Sequence, residues 1–258
     1  MKKLTLITGG TSGIGLEVAK RVAAKGQDLY LVYRSYHEKA VASEAALAKE
    51  FPEIKIFKRC FDLSQLNGTE QFLEDFEKVA TSYHLDSIVS CHGQSRPHLF
   101  LQKTQLAILE TINEHLISNV VMMHRLIPKL CVQSYGRVVF MTSLASHKIN
   151  RGQSDYALSK GALEVFVKSL VSEYGHRNIT FNCISAGFAD THFTKGIYKD
   201  LSEKHRKIVV PVQQIADLIQ LLIDEKTTHI NGSTFRIDGG QFCLNNNFEY
   251  HSLSFHNS

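Results

Sequence analysis

Leu4-Thr5-Leu6-Ile7-Thr8-Gly9-Gly10-Thr11-Ser12-Gly13-Ile14-Gly15 carries a short apolar, β-prone run straight into a glycine-rich turn. Beyond it, over residues 14–25, Ile14, Val18, Arg21 and Val22 keep the spacing of a helix with about 3.6 residues per turn. A strand that breaks at glycines and resumes as a helix is the first unit of an alternating β/α chain.

Outward from this unit the alternation repeats. The pattern predicts strand 28–33 and helix 38–50, strand 54–60 and helix 69–81, strand 87–90 and one long helix over 103–133. Strand 137–142, helix 156–174 and strands 180–185 and 234–237 follow. Such a chain predicts a single α/β domain, a doubly wound parallel sheet of about seven strands with helices on both faces. No repeat or linker divides it, so residues 1–243 form the expected domain. The Asn- and His-bearing stretch 244–258 is set apart as a C-terminal tail, loosely ordered or docked on a neighbouring subunit.

Composition excludes several function classes. The 258 residues carry 29 basic and 25 acidic side chains, a net +4 without a basic block, which argues against nucleic acid as a partner. Five dispersed cysteines without a C-x-x-C pair indicate neither a disulfide framework nor zinc, and the thirteen histidines show no metal-binding spacing. The apolar run after Met1-Lys2-Lys3 stops at Gly9, too short for a secretion signal. No segment approaches the roughly 18 apolar residues of a membrane span. The expectation is a cytoplasmic protein that binds no metal.

The turn predicts phosphate chemistry. Gly9, Gly13 and Gly15, with Thr11, Ser12 and Ile14, sit where backbone amides at a helix start receive a pyrophosphate. Strand 28–33 then ends at Arg34, where a protein selective for NAD would place an acid on the ribose 2′-hydroxyl. A guanidinium there suits a 2′-phosphate instead, so the cofactor expected is NADP(H). Asp62 and Leu63, after the third strand, occupy a place from which the adenine can be met.

The catalytic signal is Ser143 with Tyr156 and Lys160. Tyr156 and Lys160 lie one helical turn apart on the same face. A phenol ordinarily titrates near pH 10, so acid–base work at neutral pH requires a nearby cation, which Lys160 supplies. Ser143 ends a strand at the carboxyl edge of the sheet, where ligands of doubly wound folds bind.

From about Lys3 to Gly240 the chain resembles the short-chain dehydrogenase/reductase superfamily, with its Rossmann-type fold. Thr8-Gly9-x-x-x-Gly13-x-Gly15 matches the cofactor loop, Ser143/Tyr156/Lys160 the catalytic set and Asp238-Gly239-Gly240 the usual ending. The resemblance implies that Asn113 is the asparagine holding a water that links the lysine to solvent. It also implies cofactor contacts from Gly93, Tyr156, Lys160, Gly187 and Thr191. The segments 168–170, 179–182 and 186–191 look most similar to 3-oxoacyl-(acyl carrier protein) reductases.

An NADPH-dependent carbonyl reductase is therefore expected. Its substrate is a ketone, foremost a 3-oxoacyl thioester on acyl carrier protein or coenzyme A. Alternatives are a small ketone, a sugar or polyketide intermediate, and a non-catalytic NADP(H)-binding protein. Three departures from the family pattern stand out. Ser90-Cys91-His92-Gly93 replaces N-N-A-G, with His92 expected as a hydrogen-bonded loop residue. Ala186-Gly187 replaces P-G, and the stretch 191–215 looks shorter than in the acyl-carrier reductases. The helices 103–133 and 156–174 are expected to form a dimer or tetramer interface. Arg125, Lys129, Arg137 and Arg177 are basic residues near them that an acidic carrier would meet, unless they are scattered solvated charges.

Overall fold

In the computed structural model, which describes residues 1–35, 38–191 and 208–243, seven strands form one parallel sheet in the order β3-β2-β1-β4-β5-β6-β7. The strands are β1 (Lys2–Thr8), β2 (Asp28–Tyr33), β3 (Ile56–Cys60), β4 (Tyr83–Ser90), β5 (Gly136–Ser143), β6 (Ile179–Ala186) and β7 (Thr234–Ile237). The helices are α1 (Gly13–Ala24), α2 (Glu38–Glu50), α3 (Leu66–Ala80), α4 (Gln105–Ile112), α5 (Ser118–Gln133), α6 (Ser154–Tyr174) and α7 (Val212–Leu222). The expected doubly wound sheet is present.

Its centre is buried on both faces, which is why β2 and β6 read as continuous buried runs rather than alternating ones. One face packs Phe72, Phe76, Met122, Leu126 and Leu163, and the other packs Val18, Val22, Leu47, Ile215 and Ile219. Thr5 and Ser87, buried on neighbouring strands, pair their hydroxyls at 2.9 Å, so burial leaves neither without a partner. Strand order reverses between β1 and β4, and Thr8 stands opposite Ser90 at their carboxyl ends. The crevice at that switch point is where a doubly wound sheet accepts ligands.

Several elements differ from the sequence reading, β4 among them, which begins at Tyr83 rather than at residue 87. The predicted helix 103–133 is broken into α4 and α5 by a π turn, Asn113–Ile117. α7 carries an apolar stripe, Val212, Ile215, Ala216 and Ile219, that the reading left unassigned. The tail and most of the stretch 191–215 lie outside the described residues.

Arg137 is neither part of a carrier-facing basic surface nor a solvated charge. It is 1% exposed in β5, donates to the carbonyls of Gly136, Asn178 and Glu225, and stacks on Tyr135 at 4.4 Å. The apolar period of β5 conceals such an arginine because the neighbouring backbone ends satisfy its fork. Arg125 is held by Glu70 and Glu77, and Lys129 donates to the Ala80 carbonyl. Of the four, only Arg177 is an exposed residue, and Arg125, Lys129 and Arg137, held by these partners, do not form a free basic patch.

Candidate active site

A cleft of about 1010 Å³ opens at the switch point, floored by the turn after β1 and walled by the ends of β2, β4, β5 and β6. Gly9 and Gly10 donate to the Val32 carbonyl at 2.8 and 3.2 Å, which fastens the turn to β2. Gly9 has φ +70°, and a Cβ there would stand 2.9 Å from the Cys91 carbonyl oxygen, so a side chain is excluded both by conformation and by space. Ser12 caps α1 with extended backbone and without a side-chain bond, and the first turn of α1 holds no acid. Those N-terminal amides and the helix dipole therefore remain for an anion.

Thr11, Ser12, Gly13, Ile14, Gly15, Arg34, Leu63, Gly93, Gly187 and Thr191, read from the sequence as cofactor contacts, all border this cleft. Asp62 does not. Its carboxylate accepts from the Ser64 backbone amide and hydroxyl at 3.0 and 2.8 Å, so it shapes the turn into α3 and stands 3.9 Å from Arg34 Nε. The glycine turn, the acid-free helix start and Arg34 together fit the phosphates of a dinucleotide.

Ser143, Tyr156 and Lys160 meet on the opposite wall. Ser143 Oγ accepts from the Ala145 amide at 3.2 Å, capping a 3-10 turn, which leaves its O–H as a donor. Lys160 Nζ lies 5.9 Å from the Tyr156 ring centroid and donates to the Met141 carbonyl at 2.7 Å. Burial lowers its pKa to about 8, while the Glu114 carboxylate opposes that fall. At the start of α6, Asp155 pairs with Lys103 in the interior and accepts from the Tyr156 amide at 3.0 Å, which fixes the turn bearing the phenol.

Asn113 is not brought to this wall, and that expectation is corrected. Around the π turn the buried residues are Thr111, Glu114, His115, Ser118 and Asn119, a stripe at helical spacing from which Asn113 falls away. The residues at the site are Glu114, which borders the cleft, and His115, whose ring meets Tyr156 at 4.9 Å between centroids. The i, i+3, i+4, i+7 pattern of 111, 114, 115 and 118 was the available signal, masked because four of these side chains are polar.

His92 behaves as the hydrogen-bonded loop residue expected. Its Nδ1 meets Thr8 Oγ1 at 2.6 Å, and its Nε2 meets Ser118 Oγ at 2.9 Å. Ser118 donates its proton to the Glu114 carbonyl, so His92 donates from Nε2 and accepts at Nδ1. Burial and the Lys160 charge lower its pKa to about 3, and the neutral ring bolts β1 to α5. Gln241 was missed by the sequence reading. It is buried at the cleft, accepts from the Phe188 amide and donates to the Ile208 carbonyl, both at 2.8 Å.

A family model described as enoyl-(acyl carrier protein) reductase matches residues 9–241. The chain is 27% identical over 247 residues to a 3-oxoacyl-[acyl-carrier-protein] reductase of Aquifex aeolicus (strain VF5), covering 93% of this chain and 97% of that protein. It is 28% identical over 248 residues to the protein of the same name from Buchnera aphidicola subsp. Schizaphis graminum, covering 93% and 98%. Among solved structures, the L-sorbose reductase from Gluconobacter frateurii complexed with NADPH and L-sorbose shares the fold. Its TM-score is 0.84 at 23% identity, over 94% of this chain and 97% of that one.

Proposed function

The chain belongs to the short-chain dehydrogenase/reductase superfamily, and from that premise we propose that it is an NADP(H)-dependent carbonyl reductase whose substrate is a 3-oxoacyl thioester. The observation that carries this reading is the convergence of Ser143, Tyr156 and Lys160 on one wall of a cleft whose floor suits a dinucleotide. The names of the curated relatives support the acyl substrate, and the NADPH named for the sorbose reductase supports the cofactor.

NADP(H), when bound, supplies the hydride that reaches the carbonyl carbon. Ser143 donates a hydrogen bond to the carbonyl oxygen and polarises it. Tyr156 delivers the proton to that oxygen as negative charge develops, so that C=O becomes CH–OH. Lys160, a cation buried beside the phenol, stabilises the phenolate that remains. Arg34 receives the 2′-phosphate, and the α1 amides receive the pyrophosphate.

A second reading has its own support. Gln94, Asn150, Gln153 and Lys148 line the same cleft as Ser143, a polar surround that suits a hydroxylated ketone as well as a thioester. Exposed Leu106 and Leu109 on α4 and Leu158 and Val165 on α6 support the homo-oligomer read from the sequence.

The deciding experiment follows NADPH oxidation with acetoacetyl thioesters of coenzyme A and acyl carrier protein, a crotonyl thioester, simple ketones and keto sugars. Preference for the acetoacetyl thioesters is expected. Faster turnover of sugars or simple ketones moves the assignment to the second reading, and faster crotonyl turnover moves it to double-bond reduction. Cofactor binding without turnover of any of them leaves only a binding protein.

A further inference from the structure

Arg34 does not stand alone at the end of β2. Its Nη1 donates to Glu114 Oε1 at 3.1 Å, and Asp62 Oδ1 stands 3.9 Å from its Nε. Glu114 in turn accepts from Arg96 Nη1 through Oε2 at 3.0 Å. The carboxylate is only 4% exposed, against 44% for the Arg34 side chain and 32% for Arg96. Glu114 rides the π turn immediately before His115, so this ion cluster ties the end of β2 to the wall that holds Tyr156.

We propose that Glu114 tunes discrimination between NADP(H) and NAD(H) by competing with the 2′-phosphate for Arg34. This rests on the reading that Arg34 receives that phosphate. Two guanidiniums and two carboxylates make the cluster neutral before a phosphate arrives. The phosphate must share Arg34 with a carboxylate already bound to it, and two like charges stand close by. Exchange is feasible because of how the two arginines are placed. A buried carboxylate stripped of its only cation would be strongly destabilising, but Arg96 stays on Oε2 when Arg34 turns away. The more exposed arginine is the exchangeable partner, and the cofactor's own nicotinamide and pyrophosphate contacts do not enter the competition.

Three variants test this by titrating NADPH and NADH against the full chain. Binding is the readout because Glu114 also acts on the charge of Lys160. Glu114→Gln keeps the shape and removes the competing charge. It is expected to tighten NADPH by roughly three- to tenfold while NADH moves less than about twofold, as expected for one partly exposed ion pair. Arg96→Gln, at a more accessible position, carries the opposite sign. Glu114 then holds Arg34 harder, and NADPH weakens roughly threefold with NADH unchanged. An unchanged NADPH-to-NADH ratio in either variant, or a ratio that falls in Glu114→Gln, overturns the inference. Arg34→Ala reports on the underlying reading instead. It is expected to abolish most of the NADPH advantage, and a ratio that survives it removes Arg34 as the phosphate partner.

Discussion

The imidazole of His115 stands edge-on to the phenol ring of Tyr156, with centroids 4.9 Å apart and planes at 88°. Its Nε2 donates to the Gln94 carbonyl at 3.3 Å, so Nδ1 is the acceptor, and that buried atom has no partner among the described residues. Gly93, at φ +112°, allows the approach, since a Cβ there would lie 2.1 Å from His115 Cε1. The tyrosine is therefore positioned by a neutral ring, whose pKa burial holds well below 6.5.

Replacing His115 by Ala removes that support. The expected result is a fall in kcat of roughly ten- to a hundredfold with little change in NADPH affinity, because a small displacement of a proton donor is costly. Asn113→Ala, outside the buried stripe, is expected to leave kcat within about twofold. Steady-state kinetics on both variants check this, and a larger loss in Asn113→Ala would restore the role first expected for that residue.

Lys160 gives the reaction an alkaline limb. With its pKa lowered from 10.5 to about 8, the ammonium that stabilises the phenolate is lost as pH rises through about 8. The profile of kcat/KM for NADPH, which reports the free enzyme, is expected to fall above that pH. In the same window the unfolded chain binds a proton that the native one has released, so stability rises with pH between about 8 and 10.5. A flat profile from pH 7 to about 9.5 would contradict this.

His92 has the corresponding effect in acid. Its pKa falls from 6.5 unfolded to about 3 folded, so below pH 6.5 the unfolded chain gains a proton that the native protein refuses. Stability is complete above 6.5 and declines as pH falls, by at most about 1.4 kcal/mol per pH unit from this one group. Denaturant melts of wild type and His92→Asn between pH 7 and about 4 are expected to show a shallower decline in the variant. Parallel slopes would contradict the assignment.

The Lys103–Asp155 pair is a structural anchor with both side chains nearly inaccessible, at 6% and 1%. Lys103→Met leaves Asp155 as an uncompensated interior charge beside the Tyr156 amide. A loss of about 3–5 kcal/mol is expected by urea denaturation. A loss below about 1 kcal/mol would place the pair with ordinary surface bridges.

The fold was legible because both of its periods are apolar. Residues 4–8 feeding the Gly9 turn, and the repeated β/α alternation beyond, point to a parallel sheet covered on both faces, and its inner strands such as β2 and β6 are buried throughout. Ser143, Tyr156 and Lys160 were legible because their chemistry requires particular side chains at a fixed helical spacing. Glu114 and His115 were not. They occupy core positions with polar groups whose partners, Arg34, Arg96, Gln94 and Tyr156, come from other elements. Asn113 was named by resemblance alone, and the π turn instead buries Glu114 and His115. Arg137 escaped for the same reason, since its satisfaction depends on carbonyls at Asn178 and Glu225 that are far away in sequence.

The most direct measurement is turnover by Tyr156→Phe, followed as NADPH oxidation on the best substrate of the panel, with NADPH titrated in parallel. The phenylalanine keeps the ring against His115 and removes only the transferable proton. The account predicts NADPH binding within about threefold of wild type and a kcat lower by roughly a hundred- to ten-thousandfold, the range for loss of a general acid. Turnover close to wild type with binding intact would contradict it, because the proton would then come from elsewhere.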